Sequence, residues 1–398
     1  MRLSTFVSLL PLVAGAPATR KRAEPAPILE HRGEPKELVA DKYIVKFRQG
    51  SAMKEVKRTV KLLREDPSQV FSDGIFTGFA GQIHSDGLEA IRQHPDVEYI
   101  EPVSVMSTNN VVSQTRRVPW GLERISHRDN EADSYDYDQT AGAGTCAYVI
   151  DSGVDINHPE FEGRATSLGS YIGNSDRDDC GHGTHVAGTI GSRSFGVAKK
   201  THIFALKALG WSRQVGNCVG NNDITIAALH YVARHAAENR SRCPKGAVVN
   251  MSLGGPASRS VNEAVDNLAA RGVFVAVASG NSNQDAENFS PASANGACCV
   301  GATDYYDRRY AMSNFGAYVD VAAPGVDVYS TLPNGQAGPM TGTSMASPHI
   351  AGLAAYLAAR DGVSGPKLCT KIRNMATRGA IVNQYDDTRN LIAFNGGR

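Results

Sequence analysis

The sequence predicts an α/β protein, a doubly wound and mostly parallel sheet flanked by helices, preceded by a small α+β domain. Three observations predict it. After residue 118, short near-continuous apolar runs alternate with longer amphipathic stretches, as expected of parallel strands buried on both faces. Before that, residues 41–104 hold a separate set of short strands and helices. A chain of 398 residues with 41% hydrophobic content and 40 glycines is long enough for one large core and one small one.

Taken in order, residues 1–16 read as a secretory signal: Arg2, a short apolar core, and the small-residue end Ala14-Gly15-Ala16. That core is too short to span a bilayer, and no later segment reaches about 18 unbroken apolar residues, so a soluble, exported, extracellular protein is expected. Residues 17–40, with the basic site Arg20-Lys21-Arg22, read as a linker. In residues 41–104, strands are expected at 43–47, 75–83 and 97–103 and helices at 53–64 and 87–94. Residues 104–118 are polar and irregular, an exposed connection. Beyond them, strands are expected at 146–150, 202–209, 247–253, 273–278 and 297–302. Helices are expected at 182–192, 223–238, 262–271 and 344–360. In such sheets a site lies at the C-terminal ends of the strands.

The chemistry-bearing residues fall at such ends. Asp151 directly follows the apolar strand Cys146–Ile150, where a turn aspartate before Ser152-Gly153 is the plainer reading. His182 opens a small-residue helix between Gly181 and Gly183. Its pairing with His185 also suits a metal, but no Glu or Cys stands at a zinc-protease spacing, which leaves His185 a structural residue. Ser344 lies between a Gly-rich segment and apolar residues at helical spacing, so its hydroxyl sits at a helix N-terminus, either as an N-cap or as a nucleophile. Pro348 fits the first turn of that helix. Asn281 ends a strand and turn; in acyl transfer its amide can donate to an oxyanion beside the Ser344 N–H. Together these residues supply nucleophile, base and orienting carboxylate: Ser344 attacks a carbonyl, His182 carries the proton, and Asp151 fixes the imidazole. The order Asp, His, Ser and the Ala346 in place of a final elbow glycine argue against an α/β-hydrolase.

Asp151-Ser152-Gly153-Val154-Asp155, His182-Gly183-Thr184-His185, Ser252-Leu253-Gly254-Gly255, Ala278-Ser279-Gly280-Asn281 and Gly342-Thr343-Ser344-Met345-Ala346-Ser347-Pro348-His349 resemble the subtilisin-type serine proteases, and within them the proteinase K group. The resemblance covers residues 113–398, and residues 41–104 are similar to the ferredoxin-like inhibitory propeptide of such enzymes. It implies a catalytic triad of Asp151, His182 and Ser344 with Asn281 in the oxyanion hole. Ser252, Leu253 and Gly254, facing the segment 216–221, would form the edges between which a substrate peptide lies. Ala278, Ser279 and Gly280 would give an open pocket for apolar or aromatic P1 side chains. It also implies self-cleavage within the linker 105–112, a mature chain starting near Ser113, and a propeptide that serves as intramolecular chaperone and inhibitor.

Seven cysteines suit an oxidising compartment, and none stands in a Cys/His catalytic context. The resemblance pairs Cys146 with Cys243 and Cys298 with Cys369, with Cys299 as a rival partner for Cys369; Cys180 with Cys218 resembles a bridge of bacterial relatives. It further implies one structural calcium on Asp320 with the carbonyls of Asn295 and Ala297, while Arg128 and Ala380 displace the ligands of a second site. No catalytic cofactor is expected. With 41 basic against 40 acidic residues and no long basic tract, nucleic acid and membrane are poor partners; protein and peptide substrates and a monomer are expected. The rival from another class is a subtilase-like binding protein, catalytically silent or locked by its propeptide. A processing protease with basic P1 preference is a further alternative, for which no acidic cluster is evident.

Overall fold

The computed structural model describes residues 24–29, 38–72, 75–104, 111–129 and 131–397. These fall into two units divided between Thr108 and Asn109. The signal segment, most of the following linker and residues 105–110 of the cleavage linker lie outside the described residues.

The first unit runs β1 (Leu38–Phe47), α1 (Met53–Val60), β2 (Gln69–Phe71), β3 (Gly78–Gln82), α2 (Ser85–Arg92) and β4 (Val97–Ser104). Its strands form an antiparallel sheet in the order β2-β3-β1-β4. Val45, Phe47, Val56, Phe79, Ile91, Val97 and Ile100 make its core. The strand expected from residue 75 begins only at Gly78, because Ile75 stays 90% exposed. At Gly78 the backbone of β1 comes so close that an added Cβ would lie 2.1 Å from the Val45 carbonyl oxygen.

The second unit opens with β5 (Val111–Gln114), α3 (Trp120–Ser126) and β6 (Tyr135–Asp138). Next come β7 (Thr145–Asp151), β8 (Ala165–Ser170), α4 (His182–Gly191), β9 (His202–Lys207), the hairpin of β10 (Gly210–Ser212) and β11 (Asn217–Val219), and α5 (Asn222–Glu238). The middle of the unit holds β12 (Gly246–Met251), β13 (Gly255–Pro256), α6 (Arg259–Ala270), β14 (Phe274–Ala278), β15 (Phe289–Ser290), β16 (Ala297–Thr303) and β17 (Val319–Pro324). It closes with the hairpin of β18 (Val328–Leu332) and β19 (Gln336–Met340), then α7 (Thr343–Asp361), α8 (Lys367–Met375), β20 (Thr377–Arg378) and β21 (Leu391–Ile392).

Nine of these strands form one sheet, β20-β21-β17-β16-β14-β12-β7-β9-β8, parallel throughout except for the edge pair β20–β21. Alternate residues of β7 show why its run is continuously apolar. Ala147 and Val149 join one core with Val186 and Ile190 of α4 and Met345 and Ile350 of α7, whereas Cys146, Tyr148 and Ile150 join a second with Leu229 and Val232 of α5 and Val265 of α6. The sheet is thus covered on both faces. Helix α7 is buried nearly all round, so its start is held by the core itself. Pairing of β5 with β6 sets Val112 opposite Tyr137 and Ser113 opposite Asp136, whose carboxylate accepts the Ser113 hydroxyl.

Candidate active site

Asp151 is the last residue of β7 and wholly buried. Its Oδ1 accepts from the Ser152 amide at 2.7 Å and from His182 Nδ1 at 2.8 Å. Its Oδ2 has no partner among the described residues, so His182 is the main group that can answer its charge. His182 opens α4 after Gly181, which caps the helix in the left-handed region at φ 78°. The next residue must also be glycine: a Cβ on Gly183 would stand 2.0 Å from the Gly153 carbonyl oxygen. Burial disfavours the imidazolium, but the Asp151 carboxylate, by charge and hydrogen bond, outweighs it with help from Asp178, and the His182 pKa lies above its ordinary value.

Ser344 occupies the second position of α7, not the cap. Gly342 is the N-cap residue, and the Ser344 hydroxyl instead donates to the Ser252 carbonyl oxygen at 3.2 Å. The helix therefore starts earlier than Pro348 in a first turn would require, and the proline falls inside it. A residue at 348 would normally donate its N–H to the carbonyl of Ser344, four positions back. Proline has none, and the Ser252 hydroxyl donates to that carbonyl instead, at 2.7 Å. Behind it, Asn250 Nδ2 donates to Ser252 Oγ at 2.9 Å, and Ser347 Oγ donates to Asn250 Oδ1 at 2.8 Å. This buried chain accounts for the asparagine at 250, whose side chain is fully enclosed.

Asn281 Oδ1 accepts from the Thr343 amide at 2.9 Å and from the Thr343 hydroxyl at 3.0 Å. The same contacts orient its Nδ2 as a donor toward the turn before Ser344, 3.2 Å from where a Gly342 Cβ would stand. The Ser344 N–H belongs to the first helical turn, which has no intrahelical acceptor. A cleft of about 780 Å³ is lined by His182, Ser344, Asn281, Ser252, Leu253 and Gly254, with Trp211, Cys218 and Asn221 opposite. The arrangement sets a carboxylate, an imidazole, a hydroxyl and two N–H donors around one space, the equipment of acyl transfer.

Two family models match the sequence: the subtilase family over residues 142–391 and peptidase inhibitor I9 over residues 42–109. The chain is 46% identical to "Proteinase R" of Parengyodontium album over 99% of both chains. It is 46% identical to "Cuticle-degrading protease" of Metarhizium anisopliae over the full length of both. A solved structure of a cold-adapted subtilisin-like serine proteinase, 36% identical, superposes with a TM-score of 0.64 over 71% of this chain and all of that one. The chain belongs to the subtilase family. It is a subtilisin-like serine protease with an N-terminal inhibitor I9 domain.

Other residues of the subtilase fall in less expected places. Ala278 and Ser279 are buried at the end of β14 and do not line the cleft; Gly280 donates its N–H to Thr343 Oγ1 at 3.2 Å, so this segment supports the Ser344 turn from beneath. His185 Nε2 donates to the carbonyls of Val328 and Gly338 at 2.9 and 3.1 Å, and burial pushes its pKa down to about 4, a neutral structural residue. Disulfides join Cys146 to Cys243, Cys180 to Cys218 and Cys298 to Cys369, leaving Cys299 free and buried.

The calcium expected on Asp320 does not fit. Its carboxylate is taken by N–H donors: Arg373 and the Cys299 amide, each at 3.1 Å, with Arg389 at 3.9 Å. Asn295 and Ala297 are left as carbonyls without a free carboxylate to complete a site. Two groups of three metal-ligand types converge among the described residues, at Asp179 and at Asp320, but in each the two cysteines are disulfide-bonded. A subtilase needs no catalytic cofactor.

Two supports were missing from the reading of the sequence. Asp178 accepts from Ser152 Oγ at 2.8 Å, the Gly181 amide at 2.9 Å and the Thr184 amide at 2.8 Å, stitching the Asp151 loop to the His182 loop. Lys207, 4% exposed, donates to the Ser152 carbonyl at 2.7 Å and to Asp179 at 2.5 Å. A lysine closing the apolar run of β9 was the available signal, because a buried ammonium needs partners.

Proposed function

We propose that the chain is a secreted serine endopeptidase, made as a self-processing zymogen, that hydrolyses protein and peptide substrates through an acyl-enzyme. Ser344 Oγ attacks the scissile carbonyl while His182 Nε2 takes its proton. The imidazolium formed is stabilised by Asp151 through Nδ1 and then gives the proton to the leaving amine. The Ser344 N–H and Asn281 Nδ2 hold the oxyanion. A water then repeats the sequence to free the acid. The observation that carries this reading is the 2.8 Å contact from buried Asp151 to His182, whose side chain lines the cleft that also holds Ser344 and Asn281. For the attack the Ser344 hydroxyl would exchange its bond to the Ser252 carbonyl for one to His182.

Substrate would lie as an added strand between Ser252–Gly254 and the β11 side of the cleft, held by main-chain bonds, which favours broad specificity; the preference for an apolar or aromatic P1 is carried over from the family resemblance. Residues 1–16 act as signal, 17–40 as linker, 41–104 as inhibitory propeptide, 105–112 as cleavage linker and 113–398 as peptidase. Because Val112 and Ser113 are paired with β6 and do not line the cleft, cleavage between them requires β5 to leave β6 and the new N-terminus to return. The mature enzyme acts as a monomer with no nucleic-acid or membrane partner. No helix among the described residues is long and apolar enough to cross a membrane.

The test is a fluorophosphonate applied to the propeptide-free protein, followed by peptide mapping. Labelling is expected on Ser344 and should vanish in His182→Ala. A folded, propeptide-free protein that takes no label would instead be a binding protein. Ser344→Ala is expected to accumulate at full precursor length when no other protease is present.

A further inference from the structure

Asp320 carries its counter-charge inside the chain. It lies in β17 with its side chain 15% exposed, and both carboxylate oxygens accept from N–H groups. Oδ1 faces Arg373 Nη1 at 3.1 Å and Arg389 Nη1 at 3.9 Å, while Oδ2 accepts from the Cys299 amide at 3.1 Å. Calcium takes about six to eight oxygen ligands at roughly 2.3–2.6 Å. At this carboxylate each oxygen already accepts one donor hydrogen, and an added cation would lie beside the guanidiniums of Arg373 and Arg389.

The guanidiniums are themselves held. Arg389 Nη1 donates to the carbonyls of Ala317 and Val319 at 2.6 and 3.1 Å, spanning the turn that enters β17. Arg373 projects from α8, whose Cys369 is bonded to Cys298 of β16. The cluster therefore joins α8, β16, β17 and the segment before β21, the cross-linking that a bound ion would otherwise supply.

We propose that Arg373 and Arg389 are the permanent counter-ions of Asp320, so that this centre takes no calcium and lends the folded protease no calcium dependence. A guanidinium stays charged at any pH the enzyme meets, and no chelator removes it. The inference is read from stability, and only the reagent that blocks self-digestion in its test relies on the Ser344 role proposed above; a protein that takes no label needs no blocking and is melted as it is.

The test compares melting temperatures of mature, fluorophosphonate-blocked enzyme after exhaustive chelation, with and without excess calcium chloride. Three proteins are needed: wild type, Asp320→Asn, and the double variant Arg373→Ala/Arg389→Ala. Wild type and Asp320→Asn are expected to show the same calcium shift, whatever other sites contribute to it. The double variant is expected to melt several degrees lower without calcium and to gain a larger shift with it, because its carboxylate is then free. A calcium shift in wild type that Asp320→Asn abolishes would overturn the proposal. If Asp320→Asn does not fold, the double variant decides: a chelated melting temperature equal to wild type overturns it, and a lower one that calcium partly restores supports it.

Discussion

Replacing Ser252 by alanine probes the contact that holds the proposed nucleophile's backbone. The change removes the hydroxyl that donates to the Ser344 carbonyl at 2.7 Å and accepts from Asn250 Nδ2 at 2.9 Å. Both abandoned groups lie in the enclosed space beneath α7, and the helix cannot rescue the carbonyl because Pro348 has no N–H. A buried group left without its partner costs about 1–3 kcal/mol, so two orphans predict a loss of about 2–6 kcal/mol. In a Pro348→Ala background, residue 348 regains an N–H aimed at that carbonyl, and Ser252→Ala then orphans Asn250 alone. The cycle of wild type, two single variants and the double variant should show a coupling of about 1–3 kcal/mol. The assay is the thermal unfolding midpoint of fluorophosphonate-blocked mature enzyme at one fixed scan rate, which prevents self-digestion and keeps irreversible transitions comparable. In a domain of this size about 1 kcal/mol moves the midpoint by roughly 2–4 °C. A cost of Ser252→Ala that is the same in both backgrounds, within about 0.5 kcal/mol, would refute the role assigned to the proline.

Asn281→Ala is expected to lower kcat by about 10²–10³ with KM little changed. That magnitude belongs to the corresponding donor of subtilisin and is not worked from these distances; a loss under about tenfold would remove Asn281 from the oxyanion site. The acid limb of kcat/KM should lie above the ordinary histidine value, because Asp151 raises the His182 pKa and the imidazole must be neutral to take the Ser344 proton. Asp151→Asn should move that limb to lower pH, besides reducing the plateau, and an unmoved limb contradicts the assignment. Burial pushes the Lys199 pKa from 10.5 down to about 7, although the rings of Tyr135 and Tyr137 at 5.1 and 5.6 Å favour its charge. Between pH 7 and 10.5 the unfolded chain holds a proton that the folded chain has lost, so stability rises with pH across that window. Lys199→Met should therefore melt higher than wild type below pH 7, with the gap closing toward pH 10.5; parallel pH profiles would show that Lys199 is not strained.

Much of the fold was legible because burial on two faces leaves a plain trace. The apolar runs ending at Ile150, Lys207, Met251 and Ala278 mark four neighbouring strands, and their helices begin within a few residues of the expected positions. Strands β8 and β17 went unseen: β8 is a polar run at the sheet edge, and the apolar run of β17 is broken by Asp320 and closed by Pro324. At the site, Asp151, His182, Asn281 and Ser344 stood out because each lies within two residues of a glycine near the end of a regular element and because their motifs resemble those of the subtilases. The contacts that hold them were not, since Ser252 and Ser344 are 92 residues apart and periodicity reports which face is buried, not what it meets. Asp320 misled for the same reason. The calcium expected there came from the resemblance, and nothing in the sequence shows that Arg373 and Arg389, 53 and about 70 residues later, meet that carboxylate.

The distance between the proposed base and the proposed nucleophile is set away from both. His182 and Ser344 each stand in the first turn of a helix, α4 and α7, and both helices pack on the same face of the sheet. They are in close contact two turns below the site, where a Cβ on Gly352 would lie 2.9 Å from the Ile190 carbonyl oxygen and 2.8 Å from the Val197 side chain. On the other side of α4, a Cβ on Gly188 would meet Thr331 Oγ1 at 2.1 Å. Helix α4 is therefore wedged between α7 and the β18–β19 hairpin by glycines that leave no slack, and close-packed helices transmit displacement rather than absorb it. The Asp151 hydrogen bond sets which way the imidazole faces, and the Ser252 exchange sets the serine turn. The spacing between the two is a property of the helix contact. The glycines at 188 and 352 thereby belong to the working geometry as much as those flanking His182 and Ser344.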